Sequence, residues 1–414
     1  MRSIDQLLTF WSGVNSDTRN IVLHSTPGKG NGLFATSRDW RLSVPLDYVL
    51  SEETAPGFLT RAEELLFVDH LTGKELTALL TLALEHKGGP YLEAYKDLLP
   101  KELDVPTLWK ENELDFLLGT SLWDPLQAKL RALRRDFSVG GSGTDLQTFT
   151  YADALVRSRS IGIDGRLHIV PLLDMVNHSS TPTVRWAVEG RAITLLPTED
   201  FIAAWDNKNP IELEINYGDR SAAEWLYSYG FIPTHYTSEM RFEIEQDPAD
   251  PLGDVKHKTW GEIPFVTLRE LEYDAPFLWL MCLDEDDGLE CMPERVSFEG
   301  TSVEHDLKDT LIHHDRYPIF HLRVVTVVCT LIEMRLTQMA RVAPVTVKVD
   351  PWQTRLRLAS ELFAIEQTHL RKVQAHMYKY IGPLFKDPVV VKYLNSDKCC
   401  GHGDRWISTS MVQI

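Results

Sequence analysis

The stretch Pro171-Leu172-Leu173-Asp174-Met175-Val176-Asn177-His178-Ser179 sets a carboxylate, an amide and an imidazole into an otherwise apolar run. In such a setting a buried asparagine or histidine either satisfies hydrogen bonds of the core or turns its polar groups toward a ligand. Segments on either side bear on the choice. Upstream, Ile21-Val22-Leu23 leads into the glycine turn Gly28-Lys29-Gly30-Asn31-Gly32 and a second apolar piece, Leu33-Phe34-Ala35, which together read as a hairpin. Downstream, a strand is expected from Ile211 to Tyr217, ending in Glu214-Ile215-Asn216-Tyr217-Gly218. Ser221-Ala222-Ala223-Glu224 then reads as a capping box, opening a short helix that Gly230 closes within Tyr229-Gly230-Phe231.

Glycines let backbone N–H groups approach a phosphate or carboxylate closely, so the turn at Gly28 to Gly32 invites a nucleotide-binding reading. A Rossmann pocket needs a substantial helix directly after the glycines and an acidic residue roughly 20 positions on. Here the chain runs through Leu33-Phe34-Ala35-Thr36 and Arg38-Asp39-Trp40 to Pro45 without a helical period. By itself the turn serves a hairpin as readily as a ligand.

Taken in order, these three constellations resemble the SET-domain methyltransferases, in the branch typified by the Rubisco large-subunit methyltransferase. That branch carries an early glycine turn, a D-x-x-N-H segment, and a strand ending in Y-G with Y-G-F about a dozen residues later. The connecting text is similar too: Pro90-Tyr91-Leu92 before Leu99-Pro100, then Pro106-Thr107-Leu108-Trp109 and Leu117-Leu118-Gly119-Thr120-Ser121-Leu122 resemble its helical insert. The resemblance covers roughly residues 20 to 235 with ordered motifs, and the later helices look like the branch's substrate-binding domain.

The resemblance implies an α+β fold: a β-rich SET domain with a pseudoknot and a helical insert, followed by an all-α substrate-binding domain. It implies S-adenosylmethionine as methyl donor. Asn177 and His178 would hold the donor's amino and adenine ends, Gly30 and Gly32 would pass its methionine portion, and Arg159 would approach its carboxylate. Phe231 would stack near the adenine, with Asp174 and Tyr229 completing the pocket. Tyr217 is the expected catalytic residue, although a strand-end aromatic also packs well on a core. Methyl transfer to an amine needs a neutral nucleophile in line with the sulfonium, whereas free lysine has a pKa of about 10.4. An apolar channel beside a positive charge lowers that value, and a hydroxyl with nearby carbonyls can aim the amine. Two departures from the family pattern stand out. The stretch before Val44-Pro45 is shorter than in many relatives, and Trp186 stands in the substrate channel where they place a tyrosine.

The implied function is methylation of a lysine in a nonhistone protein, such as a ribosomal protein or translation factor. Protein-histidine methylation and a non-catalytic SET-fold binding module are the alternatives, the first because an imidazole with a pKa of about 6.5 is already largely neutral.

Composition narrows the classes further. The 414 residues carry a formal net charge of −18, which disfavours broad affinity for nucleic-acid backbones and suits a basic protein partner. Five cysteines, an odd number, fit a reducing compartment better than a disulfide framework. Cys399-Cys400-Gly401-His402 lacks metal-ligand spacing, so no metal is expected. The longest apolar run, around Val324 to Leu331, falls short of the roughly 20 residues of a membrane span. A monomer in the cytoplasm or nucleus is expected.

The helical patterns fall at Lys74 to Glu85, Leu126 to Leu133, Leu146 to Val156, Ile319 to Met339 and Leu356 to Tyr380. The expected organisation is a SET domain over 1–245 with its insert at about 60–150, a helical domain over 246–394, and a loose tail over 395–414.

Overall fold

The structure is a computed structural model that describes residues 2–11, 20–26, 29–58, 74–140, 144–206, 208–246, 248, 250–292, 295–302, 307–342 and 354–396. Gly28, the Cys399-Cys400-Gly401-His402 stretch and the tail after Ser396 lie outside the described residues. The chain forms two compact units. One comprises Met1–Leu114, Asp124–Arg220 and Glu224–His235, the other Asp115–Trp123, Ser221–Ala223 and Tyr236–Ile414.

In the first unit the glycine turn is a hairpin. Strand Ile21–Thr26 pairs antiparallel with Gly30–Ala35, Thr26 opposite Gly30, and Ile211–Glu212 adds to the other edge of Gly30–Ala35. Strand follows Gly32 where a Rossmann pocket needs a helix, which rules that reading out. Two further three-stranded sheets pair Leu42–Pro45 with Ala192–Pro197 and Val184–Glu189, and Leu50–Ser51 with Arg166–Ile169 and Ser160–Ile163.

The single strand expected from Ile211 to Tyr217 is two strands with different partners. Ile211–Glu212 joins the hairpin, whereas Glu214–Ile215 lies parallel to Asn177–His178. Thr183 enforces the break: its hydroxyl donates to the Glu212 carbonyl and accepts the Glu214 N–H, each at 2.8 Å. A parallel pair needs a crossover, and the hairpin Val184–Glu189 and Ala192–Pro197 lies within it.

The helical insert packs on this β framework. Helix Glu75–Leu84 is buried over eight of its ten residues, and its Thr81 hydroxyl is satisfied by the Thr77 carbonyl at 2.7 Å. Ala78 and Leu82 close on Phe149 of helix Leu146–Arg159 and on Leu133 of helix Trp123–Gly140. Helix Leu146–Arg159 starts at Asp145, whose carboxylate caps the Thr148 N–H at 2.8 Å. Its last turn carries Arg157 and Arg159.

The second unit is built on the long helices Tyr317–Arg341 and Thr354–Leu384. Two small antiparallel sheets accompany them, Glu239–Glu243 with Phe265–Arg269 and Glu272–Asp274, and Leu289–Met292 with Arg295–Phe298 and Thr301–Ser302. Strand Phe265–Arg269 buries Val266 and Leu268 on one face, a five-residue alternation that helical periodicity does not register. Strand Glu239–Glu243 precedes residue 245 in sequence, yet its ladder partner lies beyond it, and the strand belongs to this unit. Glu366 of helix Thr354–Leu384 accepts both the backbone N–H of Ser121, at 2.8 Å, and its hydroxyl, drawing residues 115–123 into the same unit.

Candidate active site

The parallel pair Asn177–His178 and Glu214–Ile215 organises the site, with Asn177 opposite Glu214 and His178 opposite Ile215. Before it the backbone turns sharply at Leu172, a buried non-glycine residue at φ +70°, into the short 3-10 turn Leu173–Met175. Strain at such a position persists only where the surroundings over-determine it. Here they include Asp174, whose side chain is fully buried and whose carboxylate accepts Arg159 Nη1 at 3.0 Å and the Tyr95 hydroxyl at 2.6 Å. Arg159 Nη1 also reaches the Asp174 carbonyl at 3.0 Å. Burial pushes the Asp174 carboxyl above its usual range, against the pull of Arg159 and Tyr95.

Asn177 Nδ2 donates to Glu212 Oε1 at 2.7 Å. Gly32 lies against this bond: a Cβ there would stand 2.6 Å from Asn177 Nδ2 and 2.7 Å from Glu212 Oε1, so only glycine fits without displacing the pair. Lys29 closes the group, ion-paired with Glu214 and 3.7 Å from Glu212. Gly30 opens the second hairpin strand and is exposed.

Tyr217 is held from two sides. Its backbone N–H donates to His178 Nδ1 at 3.2 Å, and its hydroxyl donates to the Val176 carbonyl at 2.7 Å. Burial raises the phenol well above its ordinary pKa, which keeps it protonated. The same cause lowers the His178 imidazole, leaving it neutral at neutral pH. Ring centroids of Tyr217 and Tyr229 lie 4.8 Å apart, and Trp225 sits 4.5 Å from His178, 5.1 Å from Tyr229 and 5.5 Å from Phe231. Gly230 permits this cluster twice over. Its φ is +79°, and a Cβ there would stand 2.8 Å from the Asp104 backbone.

The structure thus brings Asn177, His178, Gly32, Tyr217, Tyr229 and Phe231 together with Asp174 and Arg159 beneath them. The two carboxy-terminal arginines of helix Leu146–Arg159 are both committed internally. Arg157 binds Asp153, Thr107 and the Tyr227 carbonyl, and Arg159 binds Asp174. Trp186, on strand Val184–Glu189, packs half-buried against the core of the first unit and has no ring contact with the Tyr217 cluster among the described residues. Sequence reasoning missed Glu212, Lys29, Tyr95 and Trp225. Trp225 was within reach, since it lies one helical turn before Tyr229.

No family model matches the chain. SET domain-containing protein 8 of Schizosaccharomyces pombe is 25% identical over 420 residues, spanning 91% of this chain and 95% of that protein. The ribosomal lysine N-methyltransferase set10 of the same yeast is 25% identical over 201 residues, 44% of this chain and 36% of that one. The chloroplastic Rubisco large subunit N-methyltransferase of Pisum sativum is 26% identical over 185 residues, 39% of this chain and 37% of that enzyme. Among solved structures, Rubisco LSMT bound to AdoMet superposes with a TM-score of 0.68 at 17% identity, covering 100% of this chain and 98% of that one. The SET domain of LSMT bound to lysine and AdoHcy gives 0.68 at 16% identity, over 99% and 98%. The chain is thus similar over nearly its whole length to a SET domain-containing protein, and it has the fold of the Rubisco large-subunit methyltransferase.

Proposed function

We propose that the protein transfers a methyl group from S-adenosylmethionine to a lysine side chain of another protein. The observation that carries this reading is the Tyr217 hydroxyl fixed on the Val176 carbonyl, immediately before Asn177 and His178. The residues present fit the donor's chemistry. A zwitterionic amino-acid end needs hydrogen-bonding groups and charges of both signs, and Asn177, Glu212 and Lys29 supply these beside Gly32. Tyr217, Tyr229 and Phe231 supply aromatic faces, which suit both a flat purine and a sulfonium cation.

S-adenosylmethionine, when bound, supplies an electrophilic methyl group on a positively charged sulfur. The chain's own residues have three tasks around it. Buried side chains exclude water, and this desolvation together with the donor's positive charge would disfavour an ammonium and leave the lysine amine neutral. Tyr217, a protonated phenol at neutral pH, orients that amine together with the Val176 carbonyl and takes no proton itself. The Asp174–Arg159–Tyr95 network beneath holds the 3-10 turn, and so the carbonyl, in place.

The name of the yeast relative set10 supports a ribosomal protein as the substrate class. Incubating the purified protein with labelled S-adenosylmethionine and cell extract, then locating the label by mass spectrometry, tests the proposal. Label on lysine is expected. Label on histidine would redirect the reading to the imidazole, and absence of both transfer and donor-induced stabilisation would leave a binding module.

A further inference from the structure

The second unit contains a cavity of about 590 Å³ that plays no part in the site built on Tyr217. One wall is a face of helix Thr354–Leu384, on which Ile365, His369 and Lys372 follow at three- and four-residue spacing. The remaining lining comes from residues 236–240, the turn at Glu270 and Leu271, and the start of helix Ala222–Tyr229.

Two polar groups there are open to a ligand, one buried and one exposed. His369 is only 8% exposed, and its Nε2 is buried without a hydrogen-bond partner. Buried polar groups are normally paired, so this nitrogen points to a missing ligand atom. Glu270 is exposed on the cavity at φ +52°, with no ion pair among the described residues. The other carboxylates are already engaged. Glu366 is held by Ser121, and Glu239 pairs with Arg269 at 2.6 Å and with Arg241. Against these three carboxylates Lys372 is the one cationic lining residue. Leu271 and Ala364, both exposed, add apolar surface at the mouth.

We propose that this cavity docks a basic side chain of the protein substrate, with its aliphatic stem along Leu271 and Ala364, its cation at Glu270, and a neighbouring polar group satisfying His369 Nε2. Stem and charge of lysine or arginine separate in this way on mixed surfaces. The exposed mouth admits a side chain carried on a polypeptide, and the −18 net charge of the chain draws basic partners toward it. Only the word substrate rests on the functional reading above; the binding chemistry stands independently of it.

The test uses the full chain with isotopically labelled histidine. The probe is the acetylated and amidated tripeptide alanyl-arginyl-alanine, which offers no lysine to the methyl-transfer site. Saturable shifts of the His369 ring signals are expected with this peptide and not with its citrulline analogue. Glu270→Lys should weaken binding by about tenfold or more, as reversal of a contacting charge does. Should that variant fold poorly, Glu270→Gln is read in its place. An unchanged His369 signal, an equal response to citrulline, or an affinity untouched by the Glu270 substitution overturns the proposal. Donor-induced stabilisation, measured on the same unmodified protein, keeps the two readings apart. Peptide binding without donor binding preserves the cavity assignment and removes the methyltransferase one; the converse does the opposite.

Discussion

The hydroxyl of Tyr217 donates to the carbonyl of Val176 at 2.7 Å, while the Tyr217 backbone N–H reaches His178 two residues further along the same segment. Side chain and main chain of one residue thereby span the parallel pair that carries Asn177 and His178. Tyr217→Phe removes only the first of these bonds. Donor binding in this variant should stay near that of the parent, and turnover should fall by about 10²-fold or more. Calorimetry with S-adenosylmethionine and a radiolabel transfer assay separate the two; near-normal turnover would assign Tyr217 to packing and make Tyr229 the next candidate.

At Gly32 the expected effect is the reverse. Gly32→Ala forces a Cβ against Asn177 Nδ2 and Glu212 Oε1, and both are side-chain ends able to swing aside. The hydrogen bond between them is lost, at about 0.5–1.5 kcal/mol, while the backbone stays in place. Donor affinity should drop with little change in melting temperature, and an unaltered affinity would remove the Asn177–Glu212 pair from the donor pocket.

Asp174 and Arg159 form a buried ion pair, with side chains 0% and 14% exposed. Asp174→Asn leaves the arginine buried without a counter-charge, which costs about 3–5 kcal/mol. Denaturant unfolding of this variant should register that loss, and a near-neutral result would show that water reaches Arg159.

Three imidazoles, His178, His321 and His369, have pKa values lowered by burial. The unfolded chain, with ordinary histidines of about 6.5, then binds more protons than the folded one between the two values. Their contribution is fully present above about pH 6.5 and is lost as pH falls toward and through the lowered folded values. Melting temperature should decline on acidification across that window, and His369→Phe should flatten the slope. A parallel slope in the variant would free His369 of this role.

Much of this was legible in the sequence, for identifiable reasons. That Asn177, His178 and Tyr217 lie together was readable because three motifs in fixed order constrain one another, and the hairpin at Gly30 because no helical period follows Gly32. Glu212 escaped notice since Ile211-Glu212-Leu213-Glu214 alternates like any half-exposed strand, and only the pairing of Asn177 against Glu214 brings the carboxylate inward. Tyr95 sits on helix Pro90–Lys96, where its apolar neighbours account for it equally well as packing. The small sheets of the second unit were hidden by strands of two to five residues among long helices, too short for periodicity to speak.

The bond between Ser121 and Glu366 spans 245 positions of sequence. Translation adds about 5–20 residues each second, so Ser121 is synthesised roughly 12–50 s before its partner. Throughout that interval residues 115–123, which lie in sequence between two segments of the first unit, lack the helix that completes their own unit. The second unit therefore cannot be completed until its last long helix is synthesised, and a nascent chain halted before Thr354 carries residues 115–123 without the carboxylate that holds them.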